Sequence, residues 1–114
     1  MVILDPRGEF KFYRCFDTHG SDSDGRAMND VLLNQASTGD IVLVAVADSG
    51  EGYISRAYNG MRAVNCGASP PYLSFRSTYV LVGAKNLCPS WHFEAKSSRG
   101  YGPTSHKTTI VLHN

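Results

Sequence analysis

Alternating and continuous apolar stretches predict most of the strands in this chain. Residues 9–16 alternate apolar with polar positions and place Phe10, Phe12 and Phe16 on one face, as in a half-buried strand. Residues 41–47 are apolar without interruption and rich in β-branched side chains, which predicts a strand buried on both faces. Shorter apolar stretches predict further strands at 72–75 and 78–82, or one bent strand over both that is broken near residues 76–77, and strands at 91–95 and 108–112.

Two segments carry apolar residues at helical spacing. The first is 26–38 and the second is about 50–66, and a glycine follows each as a left-handed stop. Asp48 comes directly after the long apolar run, and Glu51 lies three residues further on, which matches a capping box for the second helix. The pattern therefore predicts a strand–turn–helix unit with Asp48 at the carboxyl end of its strand.

The mixed order of these elements predicts an α+β fold. We expect residues 1–114 to form a single compact domain, in which two antiparallel β-sheets are arranged like a sandwich and are lined by short helices. A chain of 114 residues has the usual length of one domain, and it contains neither an internal repeat nor a linker.

Charge and hydrophobicity exclude several classes of partner. The formal net charge is +1, so the chain has no electrostatic attraction for polyanions, and we expect no nucleic-acid partner. No apolar run approaches the roughly 20 residues of a membrane span, so we expect no membrane insertion. The apolar start of the chain is interrupted at Asp5 and Pro6, which is too early for a secretory signal.

Three cysteines, Cys15, Cys66 and Cys88, leave the redox state open. One disulfide with one free thiol fits the odd number, and so does a set of three buried, inert thiols, which is the default expectation. Neither the cysteines nor the histidines have zinc-ligand spacing. Residues 22–25 resemble half of a calcium loop without its closing glutamate and predict a solvated loop. We expect no metal and no cofactor.

The sequence also carries no distinctive catalytic motif. It has no nucleophile elbow, and a pairing of Cys66 or Cys88 with His92 or His106 is the one arrangement that would activate a thiol. Because no segment assembles a nucleophile, a base and an oxyanion site, we expect the protein not to be an enzyme.

Three stretches, 16–18, 39–48 and 73–85, with a helix between the second and the third, together resemble a known family. They are similar to the interleukin-like EMT inducer domain, which is also called the PANDER-like or GG domain. The resemblance covers residues 9–114. It implies two antiparallel sheets lined by helices around a polar cavity.

The resemblance also implies a function. Members of the family include secreted cytokine-like proteins and the lectin-like stem of an O-mannose-specific N-acetylglucosaminyltransferase. In that stem, an Asp just after the long apolar strand and an Arg in a Phe-Arg motif contact the sugar. The matching positions in this sequence are Asp48 and Arg76.

The residue types at these positions suit a sugar ligand. Aspartate and arginine make paired hydrogen bonds to neighbouring hydroxyls, and aromatic rings stack on the apolar face of a sugar. Trp91 and Tyr101 are the candidate stacking residues, although a single tryptophan in a small domain is typically part of the core. In the structural alternative, which is compatible with binding, Asp48 caps the helix and Arg76 pairs with it.

We therefore expect a non-enzymatic, lectin-like domain of an extracellular or surface-exposed protein. Its expected ligand is a glycan of the N-acetylglucosamine or galactose type, and a homo-oligomer is compatible with the sequence. Two alternatives remain open. One is a structural subunit of a virion, a fibre or an extracellular assembly, and the other is a secreted cytokine-like ligand.

Overall fold

A five-stranded antiparallel sheet is the framework of the fold. The computed structural model describes residues 1–46, 52–73, 77–97, 107, 109–110 and 112. The strands are β1 (Val2–Leu4), β2 (Phe10–Tyr13), β3 (Ile41–Val46), β4 (Thr78–Ala84) and β5 (Phe93–Ser97). Their order across the sheet is β2-β1-β3-β4-β5, and all neighbours are antiparallel. This sheet and two short helices form a compact α+β domain.

The apolar run at 41–47 forms the central strand, as predicted. Six consecutive residue pairs join β3 to β4, from Ile41 opposite Ala84 to Val46 opposite Tyr79. Burial on both faces holds only for the first half of β3, because Ala45 is exposed. One face of the sheet and the helices share a single core, whose sheet residues are Ile3, Val42, Val44, Tyr79 and Leu81.

The first helix begins earlier than the apolar pattern predicts. Helix α1 covers Asp22–Asp30 and continues as a π-helical turn over Val31–Gln35, whereas the prediction was 26–38. The Ser21 hydroxyl accepts a hydrogen bond from the backbone N–H of Asp24 at 3.1 Å and so caps the helix. The polar first turn, which also holds two aspartates that favour a helix N-terminus, has no apolar stripe to reveal it.

The second helix is shorter than predicted. A 3₁₀ turn over Ile54–Ala57 leads into helix α2, which covers Tyr58–Ala63. The predicted range was about 50–66, and Gly67 follows the helix in the left-handed conformation, with a φ of 79°. The capping box predicted for Asp48 and Glu51 lies outside the described residues.

Several strand predictions were wrong in detail. The three-residue strand β1 is too short to show alternation, so the sequence did not reveal it. The three phenylalanines were predicted to share one face of the strand, but Phe10 is 70% exposed. A register shift in the β1–β2 pairing turns Phe10 away from Phe12. Strand β5 starts at Phe93 rather than at residue 91, because a turn from Pro89 to His92 precedes it.

A second sheet is not present among the described residues. Residues 72–73 are not in a strand, which fits the two prolines before them, since proline donates no ladder hydrogen bond. The described residues of the predicted strand at 108–112 are not paired either. In place of a second sheet, α1 and α2 cover the apolar face that the first sheet presents to the core.

A disulfide joins Cys66, after α2, to Cys88, after β4. Their Cα atoms lie 4.8 Å apart, and Cys15 is a free, exposed cysteine. Since Cys66 and Cys88 are also exposed, the default expectation of three buried thiols was wrong, and the alternative of one disulfide and one free thiol is confirmed. In the disulfide neither sulfur is a thiol, so neither Cys66 nor Cys88 can form the activated Cys–His pair that the sequence analysis considered as an alternative.

The close approach of α2 to the sheet gives a first prediction, for Gly83 on β4. A Cβ atom at Gly83 would collide with the backbone carbonyl oxygen of Val64, which follows α2. We expect Gly83→Ala to lower the free energy of unfolding by about 2 kcal/mol or more, as overpacking does. Urea denaturation measures this. Ala45→Thr, at an exposed position on the neighbouring strand, is the control and should change it by less than about 0.5 kcal/mol. Equal midpoints for the Gly83 and Ala45 variants would contradict the packing.

A second prediction concerns the disulfide. The bond closes a loop of 22 residues, so replacing Cys66 and Cys88 with serine should lower the free energy of unfolding by about 3 kcal/mol. Cys15→Ser should have little effect, and the oxidised parent should contain one alkylatable thiol after unfolding. Three alkylated thiols in that sample, or a double variant as stable as the parent, would show that the bond does not form.

Candidate functional site

The sequence places the candidate site where β3 ends and β4 begins. Asp48, Arg76 and Tyr101 themselves lie outside the described residues. Among the described residues, Val46 pairs with Tyr79 at the last position of the β3–β4 ladder. In the sequence, Asp48 comes two residues after Val46, and Arg76 comes three residues before Tyr79. Along the chain, both positions therefore adjoin the same end of this strand pair.

A cavity of about 120 Å³ lies at the same end of the sheet. The last three residues of β3 contribute to its wall, together with Phe16 and Thr18 from the segment before α1. Thr18 is buried, and its carbonyl oxygen accepts a hydrogen bond of 2.5 Å from the backbone N–H of Tyr53. The first two stretches of the family resemblance, 16–18 and 39–48, therefore meet at this cavity.

Lys96 is a cation that the sequence analysis did not assign to this end of the sheet. It lies on β5 opposite Tyr79, and its Nζ donates a hydrogen bond of 2.8 Å to the carbonyl oxygen of Tyr72. This contact ties β5 to the segment that leads into residues 74–76. A lysine in a polar stretch gives no sequence signal for such a contact, because the contact depends on the pairing of β4 with β5.

The first turn of α1 carries a network of charges beside the cavity. The Asp22 carboxylate accepts hydrogen bonds of 2.7 Å from both Arg26 and Arg56, and these bonds hold the pKa of Asp22 below its usual value, with Arg26 as the main cause. Asp24 pairs with Arg14 at 3.5 Å. The prediction of a solvated loop at 22–25 was therefore wrong, because these residues form a capped helical turn whose carboxylates bind arginines.

A second polar cluster lies where α2 meets β4 and β5. The Tyr79 hydroxyl donates a hydrogen bond of 2.5 Å to Glu94, which also accepts one of 2.9 Å from the Asn65 side-chain amide. The side-chain carbonyl oxygen of Asn65 lies 2.6 Å from Nε2 of His92. Burial is the main cause that raises the pKa of the Tyr79 hydroxyl, and the hydrogen bond to Glu94 raises it further. Because these groups bind each other, the cluster joins the helix to the sheet.

Trp91 lies at the other end of the sheet. It is half-buried and lines an apolar cavity of about 180 Å³, which also contacts Ile41 and Ala84, the first pair of the β3–β4 ladder. A six-residue strand separates this pair from Val46 by about 16 Å. The structure therefore does not bring Trp91 to the end of the sheet from which Asp48 and Arg76 follow.

Comparison with known proteins agrees with the three matching stretches. The family model described as "Interleukin-like EMT inducer" matches residues 1–87. All three stretches fall inside this range, whereas Cys88, β5 and Trp91 lie beyond it, so the match starts earlier and ends sooner than the resemblance over 9–114. No curated protein matches the chain. In the described part of the chain, no helix has the length and apolar character needed to cross a membrane.

A third prediction follows from the buried hydroxyl of Tyr79. Its pKa is raised in the folded protein, so the unfolded chain loses this proton first, and the stability that Tyr79 contributes is lost as the pH rises above about 10. In urea titrations from about pH 9 to about pH 11, the free energy of unfolding of the parent should fall more steeply than that of Tyr79→Phe. The difference between the two slopes should approach about 1.4 kcal/mol per pH unit.

The exposed Tyr72 supplies the control for this prediction, since it is 75% exposed. Tyr72→Phe should keep the slope of the parent. If Tyr79→Phe also kept that slope, the buried hydroxyl would not be the group whose ionisation destabilises the fold.

Proposed function

Since the chain belongs to the interleukin-like EMT inducer family, we propose that it is a non-enzymatic binding domain that acts outside the cell and binds a glycan. The proposed ligand carries an N-acetylglucosamine-type or galactose-type sugar. The proposed contacts are the carboxylate of Asp48 and the guanidinium of Arg76.

The β3–β4 register is the observation that carries this proposal. Val46 and Tyr79 are partners, and two or three residues of chain span no more than about 7–11 Å, which limits how far the backbone at positions 48 and 76 can extend from this end of the sheet. This limit supports the proposal that an aspartate and an arginine 28 positions apart in sequence meet one ligand. A pair of planar, oppositely charged groups can bind adjacent hydroxyls of one sugar ring, each group with two hydrogen bonds.

The surroundings of this end of the sheet also suit a polar ligand of modest size. The cavity beneath it has only about 120 Å³, so most of the sugar would lie on the surface rather than inside the domain. Trp91 has no part in the proposed site, because it lies at the far end of β3 and β4. This arrangement favours a shallow site in which charged hydrogen bonds, rather than Trp91 stacking, provide the affinity.

The disulfide supports a location outside the reducing cytosol. Disulfides persist in secreted and surface proteins, whereas cytosolic thiols are kept reduced. The bond between Cys66 and Cys88 also needs no partner chain, because both cysteines lie in this domain.

A cytokine-like ligand is the second candidate, and the description of the family model favours it. In that case the domain would bind a receptor protein. The two candidates differ in what the domain binds, so a glycan array and a calorimetric titration distinguish them.

A fourth prediction tests the glycan site. We expect the parent to bind at least one glycan on an array that displays terminal N-acetylglucosamine and galactose. In calorimetric titrations with that glycan, Asp48→Asn and Arg76→Ala should each weaken binding by about tenfold to a hundredfold, as expected for the loss of a charged hydrogen bond. Each variant must first melt within a few degrees of the parent.

The controls carry the same changes of charge at exposed positions elsewhere. Arg7→Ala lies in the turn between β1 and β2, and Asp30→Asn lies at the end of α1; both should bind like the parent. Unchanged affinity in the folded Asp48 and Arg76 variants would reject the site. Loss of folding in both would favour the structural role, in which Asp48 caps a helix and Arg76 pairs with it. An array without any bound glycan would reject the sugar ligand and leave the receptor ligand as the candidate.

A further inference from the structure

Three sulfur-containing side chains line one cavity of this domain. The cavity at the carboxyl end of β3 is lined by Met1, Cys15 and Met28 in addition to the residues already described. Apart from the disulfide, the chain has four sulfur-containing residues, and only Met61 lies elsewhere, in the core. The three come from separate parts of the sequence, namely the residue before β1, the segment after β2 and helix α1.

The rest of the cavity wall excludes most other ligands. Among the residues that the structure describes, the wall otherwise consists of the hydroxyl-bearing Thr18 and apolar side chains, with no carboxylate and no imidazole. Hard cations such as Mg²⁺ and Ca²⁺ prefer oxygen ligands, and these residues offer too few of them. The cavity volume of about 120 Å³ between these side chains has room for a bare ion but not for a drug-sized molecule.

Thiolate and thioether sulfur are the ligands that select soft cations, above all Cu(I). Cys15 supplies a thiol that can lose its proton and balance the charge of a monovalent ion. Met1 and Met28 would supply two neutral thioethers, which completes a three-coordinate set of sulfur ligands. Such a set leaves no need for a histidine or a carboxylate.

The three side chains differ in burial, and this difference gives the order in which an entering ion would contact them. Cys15 is exposed, Met1 is half-buried and Met28 is only 3% exposed, so an ion would meet the thiol first and the buried thioether last. The Tyr13 hydroxyl lies 3.1 Å from the Cys15 sulfur. A hydroxyl at this distance can donate a hydrogen bond to a thiolate and orient it, as the outer partners of metal ligands commonly do.

We propose that Met1, Cys15 and Met28 form a binding site for Cu(I). The site uses neither Asp48 nor Arg76, although its cavity lies at the same end of the sheet as the proposed glycan contacts. The sequence did not indicate it, because thioether ligands have no characteristic spacing and the three residues are brought together only by the fold. Among the described residues, no three His, Cys, Asp or Glu side chains are grouped to hold a metal, so the site depends on methionine.

A fifth prediction tests the site by competition for Cu(I). The protein, with Met1 verified by mass spectrometry and the disulfide intact, is titrated anaerobically with Cu(I) in the presence of the chromogenic chelator bathocuproine disulfonate. We expect one Cu(I) per chain. Cys15→Ser should abolish this binding, and Met28→Leu, which conserves volume, should weaken it by at least about tenfold.

Met61→Leu is the matched control and should bind Cu(I) like the parent, because Met61 lies away from the cavity. A parent that fails to compete with the chelator would overturn the proposal. So would a folded Met28→Leu variant with the affinity of the parent, since the ion would then be held by the Cys15 thiol alone. A stoichiometry of one ion per two chains, with a dimer in light scattering, would also overturn it.

A measurement on the unaltered protein avoids any effect of substitution on folding. Ag(I), an air-stable substitute for Cu(I), should protect Met28 from oxidation by hydrogen peroxide relative to Met61, as read by peptide mass spectrometry. Equal oxidation of Met28 with and without Ag(I) would count against the site. The two proposals use different residues and different measurements, so failure of one leaves the other standing.

Discussion

Six consecutive residue pairs join β3 to β4, the longest pairing among the described strands, and the core face and both ends of the sheet depend on it. Because side chains alternate between the two faces of a strand, a slip of one residue would turn Val42 and Val44 away from the helices. The two strands would then lose the core that they share with α1 and α2. The same register puts the Val46–Tyr79 pair and Trp91 at opposite ends of the sheet.

Two close contacts and the buried Lys85 hold the helices against this strand pair, and the buried Asp40 joins the start of β3 to β2. Gly83 lets the carbonyl of Val64 approach β4, and Gly60 lets α2 approach α1. At the start of β3, the nearly buried Asp40 pairs with Lys11 at 2.5 Å. Lys85, whose pKa is lowered mainly by burial, donates hydrogen bonds to the carbonyl oxygens of Leu32 and Leu33 at the end of the first helix. These contacts compensate for the cost of burying charges, since each charge has a partner.

The sequence predicted the elements whose signal is local and apolar. The run at 41–47 predicted β3, and the helical stripes predicted the positions of α1 and α2. It did not predict features that depend on distant contacts: the short β1 is recognisable only from its pairing with β3, and the start of α1 depends on a polar cap at Ser21. The expected second sheet was a family expectation, and the described residues contain one sheet.

The candidate site, like the fold, was predicted from the sequence only in part. Asp48 and Arg76 were identified from the resemblance, and the β3–β4 register, which the sequence alone does not give, shows that the described residues next to them in the chain end at the same side of the sheet. The cysteine pairing had no sequence signal, because three cysteines allow several arrangements. Lys96 and the sulfur-lined cavity were not predicted, since their residues are brought together only by the folded chain.

The central claim is that the ligand binds at the end of the sheet formed by Val46 and Tyr79, and not at the end that holds Trp91. A ¹H–¹⁵N NMR titration with the glycan selected on the array tests it most directly. The account predicts concentration-dependent shifts of the amide signals of Val46, Thr78 and Tyr79, while the indole N–H signal of Trp91 stays in place. Shifts of the Trp91 indole signal without any change at Val46 and Tyr79 would contradict it.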